Sequence, residues 1–134
     1  MLSLKDRLAI TELIALHGHL IDDGRLDQLN RVFAEDVTHD LTAFGLGIHH
    51  GLGSVREAAE ALGDANPVGH HVTNIVIVEV KDDDTVVTRS KGIGIRADGT
   101  AGSAVYDDIL TKRDGAWRIT ARTITVRRKP LGRD

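Results

Sequence analysis

The chain has 134 residues, 41% apolar and 28% charged, with 20 acidic against 17 basic side chains and a formal charge of -3. Such a chain makes one domain, 1-134, with enough length to bury a core, and it holds no apolar run long enough to span a membrane. With no cysteine, disulfides, thiolate nucleophiles and cysteine-based zinc sites are excluded, and the acidic balance speaks against a nucleic-acid partner.

Met1 to Arg7 runs straight into a charged amphipathic pattern without an apolar leader, so a cytoplasmic location is expected. Ser3 is placed to cap a first helix, with Asp6 three residues on. Ile10, Leu13, Ile14, His17 and Ile21 then recur at helical spacing, and Gly24 ends the helix. A second short helix is expected where Leu26, Leu29, Val32 and Phe33 are apolar. Val37 to Phe44 reads as a strand, and Gly45 to Gly53 as a loop rich in glycine and histidine. Ser54 to Leu62 reads as a third helix, closed by Gly63, and Asn66-Pro67 marks a boundary. From His70 onward the pattern becomes a β-meander. Its strands are Val72 to Val80, Thr85 to Ile95, Ala101 to Lys112 and Trp117 to Val126, with turns at Asp82-Asp84, Asp98-Gly99 and Asp114-Gly115. Arg127, Arg128 and Lys129 form a short basic tail, read as a solvated or self-association element.

Helices first and long antiparallel strands afterwards argue for an α+β fold, a curved sheet with helices over its concave face and a pocket between the layers. The chemistry stands at the junctions of that fold. Asp22-Asp23 closes the first helix and His70-His71 opens the β half. An Asp and a His brought together make a proton-transfer unit, because the carboxylate orients the imidazole and stabilises its charged form. The alternative is that Asp22 is a solvated helix-end residue and His71 a satisfied strand-start residue. His17 lies on an otherwise apolar stripe, where it needs a partner or a wet cavity. Tyr106 and Asp108 share one strand face. The seven histidines lack the spacing of a metal site, so no metal is expected.

Several stretches resemble one family. Ile10-Thr-Glu-Leu-Ile-Ala-Leu-His17, then Asp22-Asp-Gly-Arg-Leu-Asp-Gln-Leu29, is similar to the opening of SnoaL-like proteins of the nuclear-transport-factor-2-like superfamily. Phe33-Ala-Glu-Asp-Val37, His71-Val-Thr-Asn74 and Asp114-Gly-Ala-Trp-Arg118 with Arg122 extend the similarity over nearly the whole chain. Catalytic members with an Asp after the first helix and a His opening the β half include scytalone dehydratase, hexachlorocyclohexane dehydrochlorinase and bile acid 7α-dehydratase.

The resemblance implies a cone-shaped α+β barrel that encloses a pocket and assembles as homodimers or homotrimers. By position it implies Asp22 with His71 as the catalytic dyad, His17 where relatives carry a Lys or Tyr, and Arg122 as a cationic pocket residue. On an ideal helix Asp22 faces away from the His17 stripe, so the helix is expected to loosen before Gly24 if the two share a pocket. His70, on the opposite face of a regular strand, reads as a rim histidine.

Two functions follow. One is a small enzyme without cofactor that performs a dehydratase-type elimination, an isomerisation or a cyclisation on a hydrophobic metabolite, with Asp22 and His71 catalytic and His17, Tyr106 and Arg122 binding substrate. The other is a non-catalytic ligand-binding or assembly domain of the same fold.

Overall fold

The structure is a computed structural model, and it describes residues 1-133. Ser3 caps α1 (Leu4–Asp22) as its spacing predicts: its Oγ accepts the Asp6 backbone N–H at 3.0 Å and donates to the Asp6 carboxylate at 2.7 Å. The same carboxylate accepts Trp117 Nε1–H at 2.9 Å and Lys112 Nζ at 3.2 Å, which ties the start of the first helix to the last hairpin. Gly24, at φ 68°, turns the chain out of the helix.

Six strands follow: β1 (Phe33–Asp40), β2 (Ile48–His50), β3 (Gly69–Asp82), β4 (Thr85–Ile95), β5 (Ala101–Arg113) and β6 (Ala116–Arg127). They form one curved, unclosed sheet in the order β2-β1-β6-β5-β4-β3. Every neighbouring pair is antiparallel except β1 with β6, which is parallel. The meander is the one its turn residues predict. The parallel pair departs from the all-antiparallel expectation, because β1 reaches β6 across the whole chain and no turn dictates its direction.

Four local expectations change. The segment Leu26–Arg31 is a 3-10 helix that Val32 closes, and Phe33 opens β1, which starts earlier and ends earlier than Val37 to Phe44. Thr42–Phe44 is a 3-10 turn. Part of the glycine-rich loop pairs as β2. Finally, α2 (Leu52–Leu62) starts two residues before Ser54, whose hydroxyl instead meets His49 Nδ1 at 3.0 Å.

The core lies between α1 and the concave sheet face. Ile10, Ile14, Leu29, Val32, Val37, Val86, Leu110 and Ile119 are all fully buried there, and Phe33 and Trp117 nearly so. Two bulges decide which side chains join them. In β3, Thr73 pairs with Lys91 but Val76 with Arg89, so one extra residue is inserted at Asn74, which sits at φ 54°. In β6, Ile109 pairs with Ala121 but Leu110 with Ile119, so Thr120 is the extra residue. Each bulge reverses the alternation of faces along its strand.

Candidate functional site

At the carboxyl end of α1, Asp22 receives β3. Its Oδ1 lies 2.7 Å from His70 Nδ1, and its two carboxylate oxygens accept the His70 backbone N–H at 3.0 and 2.9 Å. Asp22 therefore meets His70, and not His71 as the sequence reading had it. His71 points to the other face of β3 and is exposed, its Nε2 lying beside Gly69. The physical reason is the Asn74 bulge. Val72, Ile75 and Ile77 all pack against the core, so the inward set is even-numbered before the bulge and odd-numbered after it. Counting back by twos from Ile75 reaches His71, whereas the extra residue moves the count to His70.

Gly18 sets the approach of the two elements. A Cβ there would overlap the His70 backbone carbonyl oxygen, so only glycine lets α1 lie this close to β3. The helix remains helical through Asp22 without the loosening expected before Gly24. His70 reaches both residues instead, with Asp22 on its Nδ1 and the His17 ring edge-on at a centroid distance of 6.2 Å.

Beneath this pair, one part of the concave face is polar. Arg122, which the Thr120 bulge turns inward, grips Asp108 through Nε–Oδ1 at 2.7 Å and Nη2–Oδ2 at 2.9 Å, and both side chains are completely buried. Its guanidinium stacks 4.4 Å from the centre of the Tyr106 ring and 5.3 Å from that of Phe33. Tyr106 and Asp108 share the concave face, as their spacing predicts, and Gly92 on β4 leaves room for the Tyr106 ring. His17 stands edge-on to Phe33 and Tyr106 at 5.6 and 6.1 Å. His39 on β1 lies opposite Arg122 in register, with its ring 5.9 Å from that of Phe33. Sequence reasoning missed His39. Its alternation with Val37 along β1 was the available signal.

Burial, then the charge of Arg122 and the neighbouring His70 and His39, hold the His17 imidazole well below its ordinary range. Burial and then Arg122 and His49 push His39 down to about 3, against a small opposing pull from Asp40. Both rings are neutral near pH 7. Burial raises the Tyr106 phenol, with Arg122 opposing and Asp108 reinforcing. For Arg122 burial would lower the value, but the charge and hydrogen bonds of Asp108 reverse that and raise it, so the guanidinium stays charged.

Several buried polar atoms in this interior lack a hydrogen-bond partner: His17 Nδ1, both ring nitrogens of His39, Arg122 Nη1, Thr88 Oγ1 and Ser90 Oγ. Unpartnered buried groups are costly and uncommon. A group of them converging on one interior marks a place where a ligand or water completes the bonding. Two grooves lie elsewhere. One of about 730 Å³ runs beside α1, between Leu13 and Trp117, where Asp6 is already engaged. The other, of about 570 Å³, lies on the convex face between Val76, Val105 and Leu131. Neither touches the dyad. Among the described residues no cluster of three or more His, Asp or Glu side chains is placed to hold a metal ion, and no helix is long and apolar enough to cross a membrane.

Comparison with known proteins agrees on the fold. A protein from Novosphingobium aromaticivorans, provisionally described as an aromatic ring hydroxylase, is 28% identical and superposes with a TM-score of 0.75 over 96% of this chain and 94% of its own. A protein of unknown function from Mycobacterium tuberculosis is also 28% identical, with a TM-score of 0.79 over 93% of this chain and 73% of its own. The hexachlorocyclohexane dehydrochlorinase LinA-type3 from Novosphingobium barchaimii is 20% identical, with a TM-score of 0.78 over 96% and 92%, a likeness of fold. No curated protein matches by sequence. The family model for the SnoaL-like domain matches residues 2–123, which takes in α1, Asp22, His70 and Arg122, and the chain belongs to that family.

Proposed function

We propose that this SnoaL-like domain is a small enzyme that moves a proton on a largely apolar metabolite bearing a carbonyl or hydroxyl group. The reaction class is a dehydratase-type elimination, with isomerisation or cyclisation open to the same apparatus. The observation that carries this reading is the 2.7 Å contact between Asp22 and His70 above an interior of unpartnered polar atoms.

An ionised Asp22 only accepts, so His70 Nδ1 carries the proton and Nε2 presents its lone pair. Nε2 would take a proton from the carbon next to the activating group, Asp22 would stabilise the imidazolium that forms, and the imidazolium would return that proton to the departing hydroxyl, which leaves as water as the C=C bond forms, or to a second carbon in an isomerisation. Such general-base catalysis contributes roughly 10² to 10⁴ in rate. Tyr106 supplies a donor for the developing oxyanion, in a site dry enough to strengthen the bond. Neutral His17 lines the site between Tyr106 and His70. This is acid–base chemistry by the chain's own side chains, and it calls for no cofactor.

The test is proton exchange. A panel of cyclic ketones and hydroxy-ketones incubated with the protein in deuterated water should gain deuterium next to the carbonyl. His70→Ala should abolish the exchange and His71→Ala should retain it. Exchange that survives in His70→Ala would overturn the assignment.

One observation favours a partner as well. Val76, Val78 and Ile93 are 55%, 54% and 40% exposed on the convex face, an apolar surface suited to self-association. We propose a second copy of the chain as its occupant, giving a homo-oligomer; sedimentation at micromolar concentration should show it, and the paired substitution Val76→Glu, Val78→Glu should return a monomer.

A further inference from the structure

We propose that His39 and Arg122 together form a polar anchor subsite for an uncharged oxygen of the ligand, a carbonyl or hydroxyl rather than a carboxylate. The inference rests on the enzymatic reading above and names the chemistry its substrate must carry.

Three observations converge. The first is unused bonding capacity: both ring nitrogens of His39 and Nη1 of Arg122 are buried without a partner, while the other Arg122 nitrogens are spent on Asp108. A neutral imidazole offers one donor and one acceptor and Nη1 offers donors, so the corner suits an oxygen that accepts from Arg122 and exchanges a hydrogen bond with His39.

The second is placement. His39 and Arg122 are register partners on β1 and β6, and Phe33 bridges them, its ring 5.9 Å from His39 and 5.3 Å from the guanidinium. Phe33 also meets His17, which in turn faces His70. A ligand anchored at His39 would thus be separated from the dyad by the Phe33 and His17 rings.

The third is charge. Arg122 is already neutralised by Asp108 within a completely buried pair, and Asp22 adds a negative charge at the dyad. A carboxylate ligand would bring uncompensated negative charge into a low-dielectric interior, a costly arrangement, whereas a neutral oxygen adds none.

The experiment is an NMR titration with three ring compounds of similar size: ortho-hydroxyacetophenone, salicylate and ethylbenzene. The wild type should bind the hydroxy-ketone about tenfold more tightly than the hydrocarbon, the effect of one or two hydrogen bonds, and should bind salicylate more weakly than the hydroxy-ketone. His39→Phe should erase the preference over ethylbenzene while the protein stays folded, and His39→Leu serves where the larger ring overpacks. His70→Ala should keep the preference, because the anchor is separate from the dyad. No preference in the wild type, tighter binding of salicylate, no binding of any probe, or a preference unchanged by both His39 variants would overturn the proposal. In the last case a resident water occupies the corner. An intact preference on a protein that exchanges no proton would support the anchor and remove the catalytic reading alone.

Discussion

Arg122 and Asp108 face each other across β6 and β5 as a two-pronged ion pair with no solvent access to either side chain. The pair holds the floor of the candidate site in one geometry. Its stability depends on completeness, because desolvating two charges costs nearly what their attraction returns.

Removing one partner should therefore be far worse than removing both. Asp108→Asn is expected to cost about 3–5 kcal/mol by leaving the Arg122 cation uncompensated. The double variant Asp108→Leu, Arg122→Met should recover most of that loss in urea unfolding. A single variant within about 1 kcal/mol of wild type would show that the interior is wetter than this burial implies.

The two adjacent histidines should separate cleanly. His70→Asn is expected to lower turnover by about 10² to 10⁴, and Asp22→Asn to lower it in the same direction, since Asn orients the ring but cannot stabilise its positive form. His71→Ala, on the exposed face, should stay near wild type in rate and melting temperature. Equal losses at positions 70 and 71 would count against the dyad.

Gly18→Ala should act on both stability and activity, because its methyl meets the backbone carbonyl of His70, which cannot rotate away. Overpacking of this kind costs about 1–3 kcal/mol, and the shift of β3 would carry His70 off Asp22. Gly53→Ala, in α2 with open space around it, is the control and should gain up to about 1 kcal/mol from helix propensity. Thermal melts of the two variants, read beside their rates, check this.

Acid should destabilise the fold through the two buried histidines. His17 and His39 are held below the ordinary value of 6.5, His39 at about 3, so the unfolded chain binds protons that the folded chain refuses. Stability is then fully present above about pH 6.5 and falls as the pH drops below it, continuing until the folded-state values are reached. Each ring that binds a proton only on unfolding steepens that fall. His39→Phe should show a shallower acid slope than wild type in urea unfolding between pH 6 and 4; an unchanged slope would mean that the His39 ring is already protonated or solvated in the folded protein.

Local chemistry alone determined much of this molecule. The Ser3 cap, the apolar stripe of α1, the glycine that ends it and the aspartate–glycine turns of the meander each act within a few residues, so they are legible without tertiary contacts. The placement of Tyr106 and Asp108 on one face belongs here too, because β5 is regular between them. The tertiary structure decided what lies beyond a regular alternation. Which histidine faces Asp22 depends on a single extra residue at Asn74, and the inward turn of Arg122 depends on another at Thr120. A bulge forms only when two strands pair, so nothing within β3 by itself reverses the count. The alternation of His39 with Val37 could mark it as inward-facing, but only the parallel pairing of β1 with β6 set it opposite Arg122 and made it a site residue. That contact joins residues separated by most of the chain, and burial of the whole sheet face selects it rather than any local preference.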